Sequence, residues 1–300
     1  MPKRIVFLWA AFALQVLVRA MRSLSLLHFI STATCIELVG ATTVFVDVEP
    51  DYYCLDVQAV QNAITPSTKA VIGVHLFGQP YDPELIELCD ENNLVLIEDA
   101  AQAHGAAQDM TDGTSRVAGS MGDIGCFSFF PSKNMAVGGE GGMLTTTKAA
   151  YAEKISGITN HGRSPNLEAM ELGSNLRMSE VSAAIGLVQL EHLDGWVQRR
   201  NAIAARYTEA LADHPHLSPP SVRPGAYHAW HQYCIQTDHA SAFVEHMDRN
   251  HIDARRYYTT PIHCQQVFQS HPQYQTTLPV TDHLGQTLVA IPVMHELYEE

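Results

Sequence analysis

The sequence predicts an α/β fold on a mainly parallel sheet, followed by a smaller α+β unit. Three observations carry that expectation. From Ala33 onward, short apolar runs alternate with helically spaced segments, the pattern of strands joined by crossover helices. The stretch His214 to Gly225 contains Pro215, Pro219, Pro220 and Pro224, a linker composition that sets a boundary near residues 205–225. The chain has 300 residues, 46% hydrophobic and 17% charged, enough apolar surface for one large core and an appendage. The large unit is therefore assigned to residues 1–205 and the small one to 206–300.

Taken in order, the first candidate element is the apolar run Ile5 to Val18, which follows Lys3-Arg4 and is interrupted by Gln15. It is too short to span a bilayer and resembles the apolar region of a signal peptide. No A-x-A cleavage site follows and Arg19 and Arg22 come next, so a helix buried in the large unit is the preferred reading. Thr43–Val48 reads as a strand, Val57–Ile64 as a helix and Ala70–Phe77 as a buried strand. Pro83–Asn92 is a helix opening after Asp82, and Leu94–Ile97 is another short buried strand. Cys126–Phe130 is a further strand, with Gly142–Thr146 as its hairpin partner. Ser179 to Arg206 has helical spacing, with Ser179 as cap and Ala183, Ile185, Leu187, Leu190, Leu193 and Trp196 on one apolar face. Beyond the linker, Tyr233–Ile235 reads as a strand and Ala240–Asn250 as a helix.

Charge and cysteine usage narrow the functional classes. Asp+Glu minus Lys+Arg is 32 − 18, a net charge of −14 with no basic run, which argues against a nucleic-acid surface. Such an acidic, lysine-poor chain suits either a high-salt habitat or an ordinary acidic cytoplasmic enzyme. The six cysteines show no C-x-x-C pair, so the expectation is a reduced, intracellular protein without a disulfide scaffold. Cys126 lies mid-strand and should be inert. Sixteen histidines invite a metal reading, but His-Glu-x-x-His is absent, and His228/His231 and His246/His251 lack an acid-and-cysteine set around them. No metal is predicted.

Chemistry is expected where strands end, because ligands of open α/β sheets bind at the carboxyl edge. Leu94–Ile97 runs directly into Glu98-Asp99-Ala100-Ala101-Gln102-Ala103-His104-Gly105, and Cys126–Phe130 runs into Pro131-Ser132-Lys133-Asn134 and then Gly138-Gly139-Glu140-Gly141-Gly142. A carboxylate and a single lysine meeting there would suit pyridoxal phosphate: the lysine forms a Schiff base and the acid keeps the pyridine nitrogen protonated. Taken singly, Asp99 also reads as a helix cap and Lys133 as a surface lysine. The glycine cluster lacks both a G-K-[ST] ending and a G-x-G-x-x-G pattern.

The wording and order of these segments go further. Val74-His75-Leu76-Phe77-Gly78-Gln79-Pro80, Ile97 through Gly105, Phe127 through Lys133, and Gly139-Glu140-Gly141-Gly142 stand in sequence. His161-Gly162, Asn175 through Glu180, Ala183 through Leu190 and Pro261-Ile262-His263 follow them. Together these resemble the DegT/DnrJ/StrS group of sugar-nucleotide aminotransferases over roughly residues 29 to 297. The resemblance implies a fold-type-I, pyridoxal-phosphate-dependent homodimer. It would move an amino group from an amino acid, usually glutamate, to a keto sugar nucleotide in amino-sugar or surface-polysaccharide biosynthesis, without a membrane partner. It also implies roles. Lys133 would be the Schiff-base lysine and proton shuttle, Asp99 would pair with the pyridinium nitrogen, and Gln102 would contact the ring's oxygen side. Ser128 would bind the cofactor phosphate, Phe29 would stack on the ring, and Asn175 would reach the phosphate of the neighbouring subunit. His161 and His263 match positions near the substrate. A dehydrating branch carries histidine in place of the lysine, and Lys133 argues against that branch.

The sequence departs from the family pattern at its start. Ala13 through Met21 faintly resembles the helix whose N-terminus cradles the phosphate, but the expected glycine and threonine are replaced around Ala10-Ala11-Phe12. Arg22 to His28 is too short for the usual turn and strand before Phe29, and the chain stops inside an expected last helix. These features suggest a truncated product with a weakened phosphate cradle, and a rival reading of a catalytically impaired, cofactor-binding regulator or interaction protein.

Overall fold

Strand order in the central sheet explains which strand ends meet. The computed structural model describes residues 22–25, 29–164 and 166–297. Its first elements are β1 (Arg22–Ser25), α1 (Ser31–Leu38), β2 (Thr42–Phe45), α2 (Val57–Ala63), β3 (Thr68–Val74), α3 (Glu84–Glu91) and β4 (Val95–Asp99). Then come β5 (Ala107–Asp109), β6 (Ser115–Val117), β7 (Ile124–Ser128), β8 (Gly142–Thr145) and the helices α4 (Ala149–Thr159), α5 (Glu180–Leu190) and α6 (Leu193–Leu211). The C-terminal elements are β9 (Ala226–Tyr227), β10 (Tyr233–Gln236), α7 (Ala240–Arg249), α8 (Gln266–Gln269), α9 (Pro279–Thr287) and β11 (Leu288–Ile291).

The sheet runs β2-β1-β3-β4-β7-β8, parallel throughout except for the β7–β8 hairpin at one edge. Parallel strands are buried on both faces, and β3 shows why its sequence lacks alternation. Ala70 and Ile72 pack with Cys35 and Ile36 of α1, whereas Val71 belongs with Leu85 and Leu88 of α3 on the other side. Gly73 lies under Tyr81: a Cβ there would come within 2.8 Å of the ring. Smaller antiparallel sheets, β6-β5-β9 and β10-β11, flank the main one. The proline-rich linker is tied down, since Arg223 binds Asp82 at 2.6 Å and also pairs with Glu49, while Gln79 Nε2 donates to Ser221 O at 3.0 Å.

Expectations at three places need correction. A strand does fit before Phe29: Arg22–Ser25 pairs in parallel with β2 and β3 inside the sheet. Four residues suffice because β2 beside it is equally short. The helix expected over Ile5 to Val18, the Ala10-Ala11-Phe12 segment and residues 26–28 lie outside the described residues. The strand expected to reach Phe77 ends at Val74, because Phe77 (φ 57°) and Gly78 (φ 104°) turn the chain. Gly78 is needed there, as a Cβ would come within 2.9 Å of Trp230 N. Finally, Ser179 to Arg206 is two helices with a break at Glu191-His192. Ser179 does cap the first, accepting from Ser182 N at 3.1 Å. Only Leu193 of the expected apolar face is buried, beside Val197 and Phe129, while Ile185, Leu187 and Leu190 are exposed. No helix among the described residues is long and apolar enough to cross a membrane.

Candidate active site

The adjacent ends of β4 and β7 bring the two charged segments together. Asp99 is registered against Cys126, and Ala100 N donates to Cys126 O at 2.9 Å, so the chains leave the sheet side by side. Asp99 is the last residue of β4 and Ser128 the last of β7. Lys133 follows in a tight turn closed by its own N–H to Phe130 O at 2.9 Å. Its neighbour Asn134 pins that turn, donating from Nδ2 to Ala229 O at 2.8 Å and contacting His231 Nδ1 at 3.1 Å.

Lys133 sits where its amine is poorly hydrated. Burial pushes its pKa down to about 8, opposed by the negative charge of Asp99. Asp99 accepts from Thr32 Oγ1 on Oδ2 at 2.9 Å and from Ala101 N on Oδ1 at 3.2 Å. Thr32 opens α1, and its N–H donates to Phe29 O at 3.1 Å, which brings the half-exposed Phe29 to the corner occupied by Asp99. Gln102 is buried; its Oε1 accepts from Phe77 N at 2.7 Å and its Nε2 donates to Tyr258 OH at 3.2 Å. Ser128 Oγ accepts from Phe130 N at 3.3 Å, leaving its own hydroxyl proton to give. His104 lies tilted against Phe127 and Phe129; burial, then the Lys133 charge, lowers its pKa to about 3, so it is neutral.

Asp99, Gln102, Ser128, Lys133 and Phe29 thus converge on one sheet edge. Asn175 and His161 belong to a separate exposed ladder, in which Asn160 bridges Asn175 and His161 N donates to Ser174 O at 3.1 Å. His263 is buried beside Phe45 and faces Asp282. Thr32, Tyr258 and Asn134 were not singled out from sequence. Asn134 directly follows the lysine and was the one within reach; the other two arrive only through the fold. A half-buried lysine of depressed pKa, a carboxylate within its field and a hydroxyl at the next strand end form the donor set that pyridoxal phosphate requires.

Comparison with known proteins agrees with that chemistry. The profile of the DegT/DnrJ/EryC1/StrS aminotransferase family matches residues 24–300, and the chain belongs to that family. Members are pyridoxal-phosphate enzymes of the fold-type-I class. The chain is 40% identical over 273 residues to UDP-N-acetyl-3-dehydro-alpha-D-glucosamine 3-aminotransferase of Acidithiobacillus ferrooxidans, covering 91% of this chain and 72% of that protein. It is 32% identical over 266 residues to dTDP-3-amino-3,4,6-trideoxy-alpha-D-glucose transaminase of Streptomyces venezuelae, covering 88% and 69%. The crystal structure of S. venezuelae DesV with a ketimine intermediate superposes with a TM-score of 0.92 at 31% identity, over 97% of this chain and 78% of that one.

Proposed function

We propose that this chain transfers an amino group from an amino acid, glutamate being the expected donor, to a keto sugar attached to a nucleotide. The observation that carries the reading is the Lys133–Asp99 pair: a half-buried amine with a pKa of about 8 in the field of a carboxylate at the neighbouring strand end. Similarity to two transaminases of nucleotide-linked sugars supports the substrate class.

The residues divide the work as follows. Lys133 Nζ would be the covalent attachment point and, when free, the base that takes a proton from the donor's α-carbon and returns it on the cofactor side. A pKa near 8 leaves an appreciable neutral fraction at physiological pH, as a general base needs. The bound cofactor supplies an electron sink for the carbanion. Asp99 would hold the ring nitrogen's proton, with Thr32 Oγ1 donating to its carboxylate. Gln102, clamped by Phe77 N and Tyr258, would contact the ring's oxygen side, Ser128 would bind the phosphate and Phe29 would stack on the ring. His161 and His263 are assigned to the substrate side.

The active form is proposed to be a homodimer in which Asn175 serves the neighbouring subunit's phosphate. Asn175 is exposed and precedes α5, which leaves Val181, Leu187, Val188 and Leu190 open to solvent in a single chain. A contiguous apolar face of that kind fits a second copy. All six cysteines are free and five are buried, which suits the reducing cytoplasm.

The test is a panel of keto sugar nucleotides incubated with cofactor-loaded protein and glutamate. Equal amounts of 2-oxoglutarate and aminated sugar nucleotide from at least one candidate support the reading. Glutamate deamination without sugar amination, across the panel, contradicts the substrate class.

A further inference from the structure

We propose a zinc-class metal site at the Ile262–Cys264 turn, formed by the buried His263 Nε2 with Cys264 Sγ and Asp282 Oδ1, which lie 3.2 to 3.9 Å apart in pairs. Transamination needs no such ion, and because His263 is also the residue proposed for the substrate side, metal and substrate would compete for its ring.

Geometry is the first support. His263 Nε2 stands 3.2 Å from Asp282 Oδ1 and 3.3 Å from Cys264 Sγ, and the sulfur lies 3.9 Å from that carboxylate oxygen. An ion bonded at about 2.0–2.3 Å to N, O and S in a tetrahedron separates its ligands by roughly 3.3–3.7 Å. The three donors already stand within a few tenths of an ångström of that arrangement. The ligand set is also chemically apt: thiolate, imidazole and carboxylate suit Zn²⁺, and the two negative charges neutralise it. Cys264 is exposed and Asp282 half-exposed, so one side stays open for entry and for a water as fourth ligand.

Preorganisation is the second support. The donors come from two segments, each fixed by other contacts. The turn closes through Cys264 N to Pro261 O and Gln265 N to Ile262 O, both at 3.0 Å, and Gln269 Nε2 binds His263 O at 2.7 Å. Asp282 lies in the first turn of α9, whose start is held by Asp47, just beyond β2. That carboxylate accepts from Val280 N at 3.0 Å, Thr281 N at 2.9 Å and Thr281 Oγ1 at 2.7 Å. Among the described residues, no other set of three potential ligands draws together this closely. Because the ligands are split across 18 positions, no spacing motif announces them.

Bound metal would clamp the 262–264 turn to α9, and so to the strand β11 that α9 leads into. Equilibrium dialysis of the cofactor-loaded protein against Zn²⁺ tests this. We expect one tightly bound Zn²⁺ per chain, affinity at least about tenfold weaker in Cys264→Ser and in Asp282→Asn, and no change in His216→Ala. The last variant controls for the exposed imidazoles of His214, His216 and His239, which lie near one another. Saturating Zn²⁺ should also slow alkylation of Cys264, the exposed cysteine. Wild-type affinity in Cys264→Ser, loss of binding in His216→Ala, unchanged alkylation, or no zinc uptake would each overturn the proposal.

Discussion

Glu98 and Asp99 are adjacent acids on one strand, and they have opposite fates. The pleat sends them to opposite faces of β4. Glu98 is fully buried and is met by the fold's own donors: Gly119 N at 2.7 Å, Met121 N at 2.8 Å, Gly122 N at 2.7 Å and His75 Nε2 at 2.9 Å. His75 is set in its tautomer, since its Nδ1 accepts from Tyr81 N at 3.2 Å and leaves the proton on Nε2. That carboxylate staples the 119–122 turn to the sheet. Asp99 takes a single backbone amide, Ala101 N, and otherwise meets a threonine hydroxyl and lies in the field of a lysine amine. Burial alone therefore does not mark the acid proposed for the chemistry; the kind of partner does. Backbone amides cannot move, whereas a lysine at the next strand end can exchange its bond and its proton.

That contrast can be broken most severely at the lysine. Lys133→Ala should reduce transamination at least about 10³-fold, since it removes both the attachment point and the proton carrier. Steady-state assay with saturating cofactor measures it. Asp99→Asn should cost on the order of 100-fold in turnover while leaving thermal stability close to that of the wild type. Glu98→Gln should do the reverse. An amide group set against four N–H donors leaves at least one buried group unpaired, about 1–3 kcal/mol, so melting should fall by several degrees while turnover per folded molecule holds within about threefold. If the two substitutions behave alike, the distinction between the faces of β4 is wrong.

Smaller effects sharpen the comparison. Thr32→Val removes the hydroxyl that holds Asp99 and should lower turnover by about tenfold, matching a charge-assisted hydrogen bond of roughly 1.5 kcal/mol. The smallest effect is electrostatic. In cofactor-free protein, peptide-resolved labelling with an amine reagent should show Lys133 gaining reactivity through pH 8, because only the neutral amine reacts. Lys148, whose Asp123 partner pushes its pKa up, should respond at higher pH. Asp99→Asn removes a charge that favours the ammonium, so the Lys133 inflection should move down, not up.

How much of this was legible in the sequence varies with the kind of interaction. Strand ends were readable because β4 and β7 are short apolar runs stopped by charge, and Asp99, Ser128 and Lys133 sit at those stops. The antiparallel partner of β7 was readable too, at Gly142–Thr145. Thr32 and Tyr258 were not, since each acts across a long sequence separation: 67 residues from Thr32 to Asp99 and 156 from Gln102 to Tyr258. The short strands of the β6-β5-β9 sheet escaped for another reason. Ala107–Asp109 and Ser115–Val117 carry too few apolar residues to announce a period of two. The α5–α6 break was hidden because helical spacing continues across Glu191-His192, while exposure of Leu187 and Leu190 depends on what packs against α5 rather than on its own pattern.

The proposed function turns on Lys133 being the one lysine that binds the cofactor covalently. Its most direct test is borohydride reduction of the protein with pyridoxal phosphate, followed by peptide mapping of the fixed adduct. The account predicts one modified residue, Lys133, and loss of the adduct in Lys133→Ala. An adduct on Lys148, Lys154 or Lys69, with Lys133 unmodified, would contradict it.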